Sequence, residues 1–243
     1  MARLPKEIGQ LENLASLDLV NNQLMNLPIE ITQLDNLTNL YLHDNQLTSL
    51  PKEIGQLKNL TSLDLVNNQL VNLPMEIGQL ASLTSLYLND NQLVNLPIEI
   101  GQLANLTSLH LSNNQLIGLP SEIEHLKSLE LLYLNSNKLT KIPTKIRLLP
   151  NLKKFSIGGN SIPAEELTQL YSFIPLVETL YLGDLGLLAL PKDIQKLKML
   201  HTLDLSSYRE DKNNLNDFSA KERENIRALL PNCKVIFEES ERK

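Results

Sequence analysis

The apolar positions of the chain return in the same phase every 23 residues. A leucine opens each unit, at Leu14, Leu37, Leu60, Leu83, Leu106, Leu129 and Leu152, and the phase never slips across these seven. One unit shows the pattern: Leu60, Leu63, Leu65, Asn68, Leu70, Leu73, Pro74, Ile77 and Leu80. In Leu60-x-x-Leu63-x-Leu65 the apolar residues alternate near the centre, as a short strand with one buried face requires. Identical strands from successive units then pair in parallel, roughly 4.8 Å apart. Self-similarity at this period predicts a stack of layers, each burying its apolar face against the next.

Two columns refine each layer. The ninth position is asparagine at Asn22, Asn45, Asn68, Asn91, Asn114, Asn137 and Asn160. There the chain turns inward and leaves backbone groups without ladder partners; an amide that both donates and accepts can satisfy them, so a structural asparagine ladder is expected. The Leu-Pro-x-Glu-Ile segment forms the outer arc. Proline suits the first position of a helical turn, and Glu7, Glu30, Glu53, Glu76, Glu99 and Glu122 follow near its positive end, which predicts short 3-10 or single-turn helices.

The period breaks once. From Leu152 the next opening residue is Val177, a spacing of 25, and the added length reads as a helix over about 163–174: Ser161 offers a cap, Pro163 and the acidic pair Glu165-Glu166 follow, and Leu167, Leu170, Tyr171 and Ile174 recur at helical spacing. Leu185 and Tyr208 stand where the next two asparagines belong, so the ladder is expected to end at Asn160. Residues 1–205 read as the solenoid and 206–243 as a loop followed by a terminal helix and strand. In that cap Ser219 with Glu222 fits a capping box, Ile226, Leu229 and Leu230 form an apolar face, and Val235, Ile236 and Phe237 a strand. Cys233 reads as a cap residue, and the cap speaks against a further domain. At the other end Leu4, Ile8 and Leu11 present an apolar edge, which predicts cover by residues beyond this chain or self-association through that end.

The unit LPxEIGQLxNLxxLxLxxNQL, with Gln23, Gln46, Gln69, Gln92 and Gln115 after the asparagines, resembles the leucine-rich repeat family, and most of all its bacterial, particularly leptospiral, members. The phrase from Ile226 to Phe237 is similar to the ending of many of them. The resemblance implies an α/β leucine-rich repeat solenoid: a curved right-handed arc with a parallel β-sheet on its concave face and short turns on its convex face. It also implies a protein that is exported or surface-located, with a host cell-surface or extracellular-matrix protein as partner; a secreted or cell-surface location is thus favoured over a cytoplasmic one, the chain showing no leader of its own.

Composition narrows the partner. Hydrophobic residues make up 42% of the chain but aromatics only 4%, with no tryptophan, so the core is expected to be built from aliphatic side chains of similar shape, as suits a stack of like layers. A net charge of −6 without a basic stripe disfavours nucleic acid and anionic lipid. One cysteine excludes an internal disulfide framework. No apolar run approaches the length of a membrane span.

The outward positions carry the candidate site. With the opening leucine as position one, positions three, five and seven point to the concave side. Position five runs Asp18, Tyr41, Asp64, Tyr87, His110, Tyr133, Ser156, Tyr181 and Asp204, while position seven includes His43, Asn89 and Asn135. Core packing does not explain rings there, whereas a rigid aromatic surface is what recognition hot spots use. Tyr41, His43, Asp64, Tyr87, Asn89, His110, Tyr133, Asn135 and Tyr181 are therefore the expected partner contacts. Spacing by whole repeats gives no closed set of metal ligands, and no phosphate loop, nucleophile elbow or zinc-protease helix is present, so neither metal, cofactor nor catalysis is expected. The reading is a non-catalytic protein-binding module; the alternative is a regulatory fragment of a larger bacterial signalling or effector enzyme.

Overall fold

The computed structural model describes residues 2–207 and 215–242. Within them, ten three-residue strands form one open, wholly parallel sheet in chain order: β1 (Ser16–Asp18), β2 (Asn39–Tyr41), β3 (Ser62–Asp64), β4 (Ser85–Tyr87), β5 (Ser108–His110), β6 (Leu131–Tyr133), β7 (Lys154–Ser156), β8 (Thr179–Tyr181), β9 (Thr202–Asp204) and β10 (Lys234–Ile236). Equal repeat length sets the register, so each position faces its own counterpart: Leu17 pairs with Leu40, Leu40 with Leu63 and Leu63 with Leu86. Backbone bonds extend the ladder beyond the strands, as where Leu65 N donates to Tyr87 O at 2.9 Å.

Between strands the chain crosses the core and returns through a 3-10 turn that begins directly after a proline, as at Lys52–Gln56 after Pro51 and Met75–Gln79 after Pro74, with the glutamate in its first turn. The turn's isoleucine, such as Ile54, Ile77 or Ile100, is fully buried, and so are the strand leucines Leu40, Leu63, Leu86, Leu109 and Leu132. Successive turns touch backbone to side-chain position. A Cβ at Gly55 would come within 2.5 Å of Glu76 O, and Gly78 and Gly101 meet Glu99 O and Glu122 O as tightly. Glycine in LPxEIG is there because the next layer's carbonyl occupies the space of a side chain.

The asparagines join layers as the accounting of buried backbone groups demands. Asn91 Nδ2 donates to Leu88 O of its own layer and to Leu65 O of the layer before, at 3.1 and 2.9 Å, while its Oδ1 accepts Leu70 N at 3.0 Å. Asn45, Asn68, Asn114, Asn137 and Asn160 repeat this set, and Asn22 donates to Leu19 O and Val20 O. The expectation that the ladder ends at Asn160 is corrected. It skips the layer of Leu185 and resumes at Asn216, whose Nδ2 donates to Leu182 O and Leu205 O and whose Oδ1 accepts Leu187 N at 2.9 Å. Those are the ninth-position bonds, made by an asparagine delivered from a longer excursion of chain. Tyr208, the ninth residue of that unit by sequence, lies outside the described residues.

The longer unit carries a 3-10 turn at Ala164–Glu166 running into α1 (Leu167–Phe173), which buries Leu167, Leu170 and Tyr171. It starts after Pro163 without a side-chain cap, so Ser161 does not cap it and the regular proline-led entry is kept. At the C-terminal end Ser219 Oγ accepts Glu222 N at the start of α2 (Ala220–Leu229), Ile226 is fully buried, and β10 continues the sheet beside β9. Arg223 and Arg227 lie 5.1 and 4.9 Å over the ring of Phe237, which meets Phe218 edge-on. Cys233 is half-buried and its thiol is pushed up to about 11 by burial, which suits a packing role. At the other end Leu4 is buried and Leu11 is 50% exposed.

Asn91→Ala leaves the buried Leu70 N unpaired and takes one of two amide donors from each of Leu65 O and Leu88 O, which keep Asn68 and Asn114, and is expected to cost about 2 kcal/mol in urea unfolding followed by circular dichroism. Asn216→Ala is expected to cost about 1 kcal/mol, its site being only part-buried; unchanged stability would contradict its place in the ladder. Gly78→Ala is expected to cost about 2 kcal/mol through overpacking between turns.

Candidate functional site

In-register pairing carries every position-five side chain to the same face of the sheet and one strand apart. On β4, β5 and β6 this produces a continuous row of rings: Tyr87 and His110 lie 4.7 Å apart between centroids, His110 and Tyr133 another 4.7 Å, with tilted planes. Tyr133 and Tyr181 then approach to 6.0 Å although Ser156 stands between their strands. The small residue leaves room, the two rings close the interval, and Ser156 is fully buried with its Oγ unbonded. Tyr41 stands two layers before Tyr87, beyond Asp64. All four tyrosines and His110 are half-buried, and from Tyr87 to Tyr181 each ring lies against its neighbour in the row.

Burial in this row makes it electrically quiet. His110 is lowered to about 4 by loss of water, only partly opposed by the charge of Asp64, and its Nε2 shares a 2.8 Å hydrogen bond with Ser108 Oγ. Desolvation pushes Tyr133 up to about 12, helped by Tyr181, and raises Tyr181, helped by Asp204 and opposed by Arg242. Near neutral pH the centre of the face is therefore a neutral surface of phenols and one uncharged imidazole. Its charges lie towards the ends, where His43 Nδ1 meets Asp64 Oδ2 at 2.8 Å and Arg242 Nε meets Asp204 Oδ2 at 3.0 Å.

The remaining sequence-derived candidates, His43, Asp64, Asn89 and Asn135, share the face and are half-buried like the rings. Asp64 is committed internally, since its other oxygen accepts Val66 N at 3.1 Å; Asp18 and Asp204 accept Val20 N and Ser206 N likewise. Position-five aspartate thus stiffens the strand exit, a role the sequence reading missed. Asn89 Oδ1 accepts Ser112 N of the next layer, whereas Asn135 Oδ1 is buried without a partner. Also missed was position eight, where Asn21, Asp44, Asn67, Asp90, Asn113, Ser136 and Asp184 take positive φ of 52 to 57° and Gly159 takes 65°. The signal was available: that column holds only Asn, Asp, Ser or Gly, three of the four being types that tolerate the left-handed region. Among the described residues no group of three or more His, Cys, Asp or Glu could hold a metal ion, and no helix is long and apolar enough to cross a membrane.

The lowered His110 sets a pH dependence. Its folded-state value lies below the unfolded value of about 6.5, so the unfolded chain binds the extra proton first; the contribution is intact above about 6.5 and lost as pH falls through about 4. In NMR titrations the His110 ring is expected to stay neutral down to about pH 4, and His110→Gln to remove that part of the acid destabilisation. A midpoint near 6.5 would contradict the packed ring row.

The leucine-rich repeat model matches in four overlapping stretches, residues 12–70, 35–93, 58–116 and 104–162. No curated relative matches the chain by sequence. Among solved structures, a leucine-rich repeat protein of Leptospira interrogans is 38% identical with a TM-score of 0.64, over 98% of this chain and 70% of that one. The plant peptide hormone receptor RGFR1, in complex with RGF2, is 28% identical with a TM-score of 0.69. The ectodomain of the Arabidopsis thaliana receptor kinase GASSHO1/SCHENGEN3, in complex with Casparian strip integrity factor 2, is 26% identical with a TM-score of 0.70. These cover 98% of this chain, which spans 42% and 34% of the two plant proteins. The in-register sheet, the asparagine ladder and these matches agree, and the chain belongs to the leucine-rich repeat family.

Proposed function

We propose that this chain is a non-catalytic binding module that recognises another protein on its concave sheet face, centred on Tyr87, His110 and Tyr133. The observation that carries the reading is the ring row itself. It points away from the core, which is filled by leucine and isoleucine, so packing has no need of it. Neighbouring rings already limit one another's rotamers, which lowers the entropy lost when a partner orders them, and a neutral aromatic centre is inexpensive to desolvate. The similar plant receptors, each described in complex with a partner, support a binding role for the fold. Resemblance to bacterial and particularly leptospiral repeat proteins supports placing the module at the cell surface or outside the cell, with a host surface or matrix protein as partner. Protease treatment of intact source cells tests the location: the chain is expected to be cut without lysis, and full protection would refute it.

Partner binding is tested by affinity capture with the wild-type chain, followed by titration of the captured protein against variants. Tyr87→Ala and Tyr133→Ala are each expected to weaken binding by about 2 kcal/mol, roughly 30-fold, with circular dichroism unchanged. Equal affinity in folded variants would move the site off this face.

A further inference from the structure

The outward face has a second period that the core lacks. Along position five, tyrosine returns every second layer, at Tyr41, Tyr87, Tyr133 and Tyr181, with Asp64, His110 and Ser156 between. Position seven keeps time with it: His43, Asn89 and Asn135 follow the first three tyrosines, and Val66, Ser112 and Gly158 fill the intervening layers. At position eight Asp44 and Asp90 alternate with Asn67 and Asn113. The buried strand residues Leu40, Leu63, Leu86, Leu109 and Leu132 show no alternation. A two-layer unit is therefore a property of the exposed face alone, and it sets the step with which a ligand lying along the row meets equivalent groups.

That step discriminates among ligand conformations. Tyr87 and Tyr133 are separated by two intervals of 4.7 Å through His110, and two strand spacings give about 9.6 Å. A polyproline II chain returns to the same side every third residue, about 9.3 Å on, and so stays in step over the two intervals from Tyr41 to Tyr133 to within about 0.6 Å. A β-strand returns to one side about every 6.8 Å and does not match. An α-helix comes nearest with a residue seven positions on, about 10.5 Å away, and is out of step by about 2 Å after two intervals.

Chemistry agrees with geometry. A polyproline II chain has no internal hydrogen bonds and leaves its carbonyls to be satisfied from outside, while the hydroxyls of Tyr41, Tyr87 and Tyr133 donate to no group among the described residues. Three residues after Tyr41 and Tyr87, at the turn that leaves the strand, Asp44 and Asp90 accept side-chain bonds from Asn67 and Asn113 at 2.6 and 2.8 Å and form no ion pair with described residues. Their charge remains for a cationic partner. Resting on the concave-face reading above, we propose that the tyrosine row reads a proline-rich segment in the polyproline II conformation, one ligand turn to every two layers, with lysine or arginine between the prolines facing Asp44 and Asp90.

The test uses the full chain and two probes. The first is a peptide of four Pro-Pro-Lys triplets, compared with a peptide of two such triplets and with four Gly-Ser-Lys triplets of equal charge, titrated by calorimetry. The twelve-residue proline peptide is expected to bind at least tenfold tighter than either comparison, Tyr87→Ala or Tyr133→Ala to remove that advantage, and Asp90→Asn to weaken it about threefold. Equal binding of the Gly-Ser-Lys peptide would reduce the effect to charge and overturn the inference. The second probe is a phage-displayed random twelve-residue library. Selected peptides that depend on Tyr87 but lack prolines at every third position would overturn the polyproline inference and leave the concave-face reading standing. Peptides indifferent to both tyrosine substitutions would overturn both. Failure to select any peptide counts against the polyproline inference, and the affinity capture above then decides the broader reading alone.

Discussion

Everything in this molecule depends on parallel pairing at constant register. Because the crossings from β1 through β7 have the same length, a residue at a given position is neighbour to the same position in the layers before and after it. From β1 to β6 buried strand leucine meets leucine, and from Asn45 to Asn160 the asparagine amide finds carbonyls of two layers and one N–H at hydrogen-bonding distance, as at Asn91. The interaction that enforces the constraint is that amide bridge, since it bonds two layers at once and closes backbone groups that neither sheet nor 3-10 turn can satisfy. Glycine between the outer turns serves the same end by letting layers approach without a side chain in the way.

The constraint acts on the exposed face as well. A ring placed at position five has no choice but to sit one strand spacing from whatever occupies position five next door, so Tyr87, His110 and Tyr133 form a row without any contact selected for its own sake. Crowding then changes their chemistry. Each ring removes water from the next, which holds the His110 imidazole neutral and keeps the Tyr133 phenol protonated well beyond its usual range. A surface that is rigid, neutral and already partly dry loses little on being covered, and this is the physical sense in which the repeat prepares a binding face.

Departures from the repeat show how far the constraint can be stretched. The added residues near α1 are absorbed outside the sheet, and the register from β7 to β8 is undisturbed. Where Leu185 interrupts the asparagines, the next rung is supplied by Asn216 from 11 residues beyond Leu205. Backbone groups at that level need partners regardless of which stretch of chain provides them.

What the sequence determined by itself was whatever repeats: the 23-residue layer, parallel strands, proline-led outer turns, the ninth-position amide column and the set of residues sharing one outward face. These are local and periodic, so a single chain read in phase discloses them. Only the tertiary structure decided which of those outward residues are spent and which remain. Asp64 is used by Val66 N and His43, Asn89 by Ser112 N, and Tyr133 leans over Ser156 towards Tyr181. It also found Asn216 in the ladder, which no period could place. Such outcomes depend on distances between atoms of different layers, and a pattern of residue types carries order along the chain but not those distances.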